Sequence, residues 1–89
     1  MTFEQFQTSR RRVDDLEVTL GVSIYDDPVI KCPGLVYLDQ YYIEERCDNW
    51  TDAAKDGGKY HLVIHNWTAL SDDLEALERK LFEFAQTEM

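Results

Sequence analysis

The chain has 89 residues, 18 of them acidic and nine basic, for a net charge of −9 at pH 7. That balance argues against direct nucleic-acid binding, which needs Lys and Arg for phosphate contacts, and against an anionic membrane surface; no stretch approaches the ~20 apolar residues of a membrane span. A hydrophobic share of 44%, with four Phe, five Tyr and two Trp, argues against a disordered acidic tail and suffices for one modest core, so a single α+β domain over residues 1–89 is expected.

The acids are spread evenly, nine in residues 1–45 and nine in residues 46–89. Such a surface aids solubility and speeds encounter with cationic partners. The opening Met1-Thr2-Phe3-Glu4-Gln5-Phe6 has no basic segment leading into an apolar one, so no signal peptide is expected and a cytoplasmic location is. Two cysteines do not make a disulfide framework.

In chain order, Thr2 and Gln5 have the spacing of a capping box. Phe3, Phe6, Val13, Leu16 and Leu20 recur at helical spacing, which predicts an amphipathic helix over 3–20 with Gly21 as its stop. Its polar face would carry Arg10, Arg11, Arg12, Asp14, Asp15 and Glu17. Residues 22–34 are punctuated by Asp26-Asp27-Pro28 and Pro33-Gly34. Leu35–Leu38 and Tyr41–Glu44 are rich in strand formers. A two-residue turn at Asp39-Gln40 would pair Leu38 with Tyr41 and Val36 with Ile43. Asp-Gln is a poor tight-turn pair, however, and a longer bulged connection or a continuous strand is the alternative.

Residues 47–59 form a polar connection in which Thr51–Lys55 suits one helical turn, closed by Gly57-Gly58. Residues 60–65 alternate as a strand, with Tyr60, Leu62 and Ile64 on one face and His61, Val63 and His65 on the other. Ser71 is the expected cap of a last helix whose apolar stripe is Leu74, Leu77, Leu81, Phe84 and Ala85. The order α-β-β-β-α follows, with two helices packed on one face of a small antiparallel sheet of about three strands.

Candidate chemistry is sparse. His61 and His65 lie four apart, but on a strand that is roughly 13 Å, too far for one metal. The spacing of Cys32 and Cys47 does not fit a zinc finger. In the hairpin register above they fall opposite each other, yet a cytoplasmic location favours two reduced thiols. The pairs Asp14-Asp15, Asp26-Asp27 and Asp72-Asp73 are best explained as solvated charge. No phosphate loop, nucleophile elbow or Cys-His signature is present, so neither catalysis nor a cofactor is expected. Asn49-Trp50-Thr51 and Asn66-Trp67-Thr68 match the glycosylation pattern by coincidence if no secretory signal is present.

Two surfaces remain as candidates. Asp72, Glu75 and Glu78 step by three along the last helix, and Glu44, Asp48, Asp52 and Asp56 add negative charge elsewhere. Rigid carboxylates at such spacing imitate a phosphate backbone. Separately, Tyr37 and Tyr42, facing away from Val36 and Ile43, would join Trp50 and Trp67 in an aromatic contact patch. The competing expectation is that residues 22–34, or a second copy of the chain, cover that sheet face.

The ends, Met1–Phe6 and Ser71-Asp72-Asp73-Leu74-Glu75-Ala76-Leu77-Glu78-Arg79, resemble those of small acidic proteins of bacterial phages and mobile elements. Size, acidity and α+β make-up are also similar to those of anti-CRISPR proteins. The resemblance implies a stoichiometric, non-catalytic inhibitor acting in the host cytoplasm, and it fixes no residue. The sequence therefore predicts an acidic binding protein that mimics nucleic acid and occupies a basic surface of a nucleic-acid-binding partner. The alternative is an interaction module that homodimerises through the aromatic sheet face.

Overall fold

The computed structural model describes residues 1–19, 29–64 and 67–88. Among them lie three helices and five strands: α1 (Phe3–Thr8), β1 (Arg11–Thr19), β2 (Val29–Tyr37), β3 (Tyr41–Glu45), α2 (Asp52–Gly57), β4 (Tyr60–Ile64), β5 (Trp67–Ser71) and α3 (Leu74–Glu88). The strands form one antiparallel meander in the order β1-β2-β3-β4-β5. The α+β class stands, but among the described residues the sheet has five strands and the helices number three. The expected stop at Gly21 and the Asp26-Asp27-Pro28 turn lie outside the described residues.

The first helix is much shorter than its spacing suggests. Thr2 and Gln5 form the capping box. The helix then ends where Ser9 turns its hydroxyl back onto the Phe6 carbonyl at 2.6 Å. Residues 11–19 are a strand. The misleading signal is the spacing of Val13 and Leu16. Their partners, Gly34 and Cys32, are two residues apart, with a register shift between Val13 and Leu16. An extra residue in β1 therefore returns both side chains to one face, so a bulged strand imitates a helical step of three. Leu16 packs so closely over Gly34 that a β-carbon there would lie 2.0 Å from its Cδ1.

The β2–β3 hairpin also departs from the expected register. Leu38 and Asp39 take left-handed φ values of 53° and 59°, and Gln40 donates to the Tyr37 carbonyl at 3.1 Å. The turn thus spans three residues, Tyr37 faces Tyr41, Leu35 faces Ile43 and Val36 faces Tyr42. One residue of slip exchanges the faces.

The helix-covered face presents Leu35, Tyr37, Ile43 and Leu62 to Phe6 of α1 and to Leu77, Leu81 and Ala85 of α3. Burial of this apolar surface is the main stabilising term, at about 25 cal/mol per Å². On the far face the 46–59 connection folds back over the sheet, burying Trp50 and Ala54 against Cys32, with Leu16, Cys47 and Leu70 alongside. Thr51 caps α2 by accepting from the Ala54 amide. Cys32 and Cys47 are joined as a disulfide with Cα atoms 6.1 Å apart, inside the range a bridge requires, in place of the two thiols expected.

Candidate functional site

The carboxylates singled out in the sequence divide into two groups. Glu44 and Glu78 are interior residues, 0% and 2% exposed, and take no part in an acidic surface. Glu78 stands four residues after Leu74 and three before Leu81, which puts it in the apolar stripe of α3. There it accepts from the Tyr37 hydroxyl at 2.6 Å, Gln7 Nε2 at 3.1 Å and Arg10 Nη1 at 3.0 Å. The three-step row therefore breaks after Glu75, which itself pairs with Arg79.

Glu44 lies opposite His61 across β3 and β4, and its Oε2 is 2.9 Å from His61 Nδ1. Both side chains are buried, and the Trp50 ring stands edge-on to the imidazole at 6.0 Å. His61 is therefore an interior residue of the far face. The pair was not legible because the register that joins Glu44 to His61 depends on a connection of fourteen residues with weak local signals. His65 lies outside the described residues.

The aromatic patch does not assemble. Tyr37 is buried, stacked on Phe6 at 4.8 Å between centroids and 5° between planes. Trp50 is 1% exposed. Only Tyr42 and Trp67 reach solvent, and the registers put them on opposite faces, Tyr42 beside Val36 and Trp67 beside Ile64.

Burial and the bond to the Glu78 carboxylate push the Tyr37 phenol well above its ordinary value. Arg10 is held above the ordinary guanidinium value because Glu78 and Tyr37 outweigh the opposing effect of its own burial. The folded protein keeps the Tyr37 proton at a pH where the unfolded chain releases it. This contribution to stability is complete below pH about 10 and declines as the pH rises further, by up to about 1.4 kcal/mol per pH unit for one proton. Urea unfolding across the alkaline range should show this decline, and Tyr37→Phe should flatten it. Parallel curves for the two proteins would contradict the assignment.

Asp48, Asp52, Asp56 and Asp72 are exposed, as is Asp73. Among the described residues none of the five forms an ion pair, whereas Asp14, Asp39, Glu45, Glu75 and Glu83 are each matched to an Arg or Lys. Asp52 and Asp56 share a face of α2 at a spacing of four. The C-terminal end of α2 abuts β5: a β-carbon on Gly57 would meet Leu70, and one on Gly58 would meet the Ser71 backbone. Asp56 and Asp72 thus flank one contact. Asp73 rather than Ser71 caps α3, accepting from the Ala76 amide at 3.2 Å, while Ser71 Oγ accepts from the Asp73 amide. Lys55 sits within the acidic face. Arg46 donates to the Lys55 carbonyl and joins Lys59, Glu45 and Tyr60 around a separate cleft.

No group of three or more His, Cys, Asp or Glu side chains is placed to hold a metal among the described residues. No helix there is long and apolar enough to cross a membrane. Comparison with known protein families, curated proteins and solved structures finds no match to this chain.

Proposed function

We propose that this is a non-catalytic binding protein, an inhibitor that lays an acidic surface on the basic surface of a nucleic-acid-binding partner. The observation that carries this reading is the set of exposed carboxylates at Asp48, Asp52, Asp56, Asp72 and Asp73, which form no ion pair among the described residues. The surface lies where α2 meets the end of β5, not along α3 as a three-step row. The short α2 is pinned by its Thr51 cap, by Ala54 in the far-face cluster and by the nearby disulfide. The backbone that carries Asp52 and Asp56 is therefore held in place, and little backbone ordering entropy is lost when a cationic partner docks.

The test uses Asp48→Asn, Asp52→Asn and Asp56→Asn in one chain. Exposed charge pairs contribute about 0.2–1 kcal/mol each, so three together should weaken binding of a partner captured from nuclease-treated lysate by about threefold to a hundredfold. The urea midpoint should change little, since the three side chains are exposed. Equal affinity of the intact protein and the triple variant for that partner would sink the reading.

A further inference from the structure

The two edges of the sheet are built differently. Edge strand β1 carries Arg11, Arg12, Asp14, Asp15 and Glu17 and is bulged between Val13 and Leu16. Charges and bulges are the ordinary means of keeping an edge from pairing with another chain. The opposite edge, β5, reads Trp67-Thr68-Ala69-Leu70-Ser71. It has no charge and no proline, and it pairs with β4 in unbroken register. Its first two residues are exposed, Trp67 to 40%. Alternate backbone N–H and C=O groups of such a strand point outward, ready for another strand.

We propose that β5 is a homodimer seam, pairing antiparallel with β5 of a second copy to form one ten-stranded sheet. A two-fold axis that pairs the whole strand must set Ala69 opposite its own copy and Trp67 opposite Ser71. The charges beside the strand then match. Lys80 of α3 lies 5.4 Å from the Trp67 ring and 3.9 Å from Glu83 of its own helix, so it flanks the Trp67 end on the helix-covered face and would exchange a long contact with Glu83 for a carboxylate of the mate. Asp72, exposed, follows Ser71 at the other end. The two-fold brings Lys80 of each copy to Asp72 of its mate, twice. Trp67 meanwhile loses water on its exposed side, as an interface aromatic does. Repulsion between two chains of net charge −9 acts mainly over longer distances and is screened beyond about 8 Å at physiological ionic strength. The seam shares Asp72 with the acidic surface proposed above, but Asp48, Asp52 and Asp56 take no part in it, so the triple asparagine variant should leave the dimer intact and the two readings can fail separately.

Light scattering on the size-fractionated full chain tests it, with circular dichroism to confirm that each variant is folded. The intact protein should show twice the 10.5 kDa of one chain. Lys80→Glu alone and Asp72→Lys alone should each return it to a monomer, and the two substitutions in one chain should restore the dimer. A monomer at every concentration up to about 1 mM overturns the proposal. So does a dimer that survives either single substitution, or one that the paired substitution fails to restore.

Discussion

Replacing Glu78 by alanine is expected to cost about 3 kcal/mol of stability and to lower the melting temperature by more than about 10 °C. The Glu78 carboxylate is the acceptor for three donors from three parts of the chain: Gln7 at the end of α1, Arg10 at the entrance to β1 and Tyr37 at the end of β2. Breaking a buried charge pair by removing one partner costs about 3–5 kcal/mol. Arg10 is 41% exposed and recovers water, which lowers the figure. Tyr37 does not recover: its hydroxyl sits in a closed site, and a buried donor without an acceptor costs about 1–3 kcal/mol. Glu78→Gln should fall between, because an amide oxygen still accepts from Tyr37 while the attraction for Arg10 is lost. Urea unfolding of the two variants gives the ranking, and a loss below about 1 kcal/mol for Glu78→Ala would contradict the role assigned to the carboxylate.

The second large effect is expected at Gly58, where alanine should cost about 3 kcal/mol or more and loosen the α2 end of the molecule. Gly58 has φ 152° and ψ 178°, a conformation that is essentially confined to glycine. A β-carbon there would stand 2.5 Å from the Ser71 amide nitrogen and 2.6 Å from its carbonyl carbon. Both are backbone atoms of β5, which is fixed by its pairing with β4, so neither can step aside as a flexible side chain would. The strain should appear as a lower urea midpoint. Because Gly58 packs against β5 at the end of α2, the variant should also bind the basic partner proposed above less well. Full stability in Gly58→Ala would mean that this contact is not what positions α2.

What the sequence made legible follows from how local each signal is. The capping box at Thr2 and Gln5, the Leu74-Leu77-Leu81-Ala85 stripe, the strand at Tyr60–Ile64 and the helical turn after Thr51 are written within a few residues, and each is present in the fold. The helix expected over 3–20 failed because periodicity alone cannot separate a helical step of three from a strand carrying one extra residue. The Val13–Leu16 bulge is fixed by β2, not by its own sequence. Strand β5 went unread because Trp67–Ser71 alternates only weakly.

The acidic site was legible in part. Asp48, Asp52, Asp56, Asp72 and Glu75 are exposed as their polarity suggests. Glu78 was readable as an interior residue from its place between Leu74 and Leu81, since a step of three drifts about 60° around a helix and two such steps leave the row. Glu44 carried no such mark, because its burial depends on Trp50 and α2 folding over the far face. Tyr37 and Tyr42 were assigned to one face by a turn one residue too short.

The exposed aspartates at the junction of α2 and β5 are proposed to stand in for nucleic acid on a cationic partner. Competition measures this most directly: a labelled DNA or RNA duplex is bound to the captured partner and displaced by rising concentrations of this protein. Stoichiometric displacement is predicted, with an apparent affinity that falls as salt rises from about 50 to 200 mM and with Asp48→Asn/Asp52→Asn/Asp56→Asn displacing at least about threefold less well. A partner that holds the protein and the duplex together, or a displacement indifferent both to salt and to those three aspartates, would contradict it.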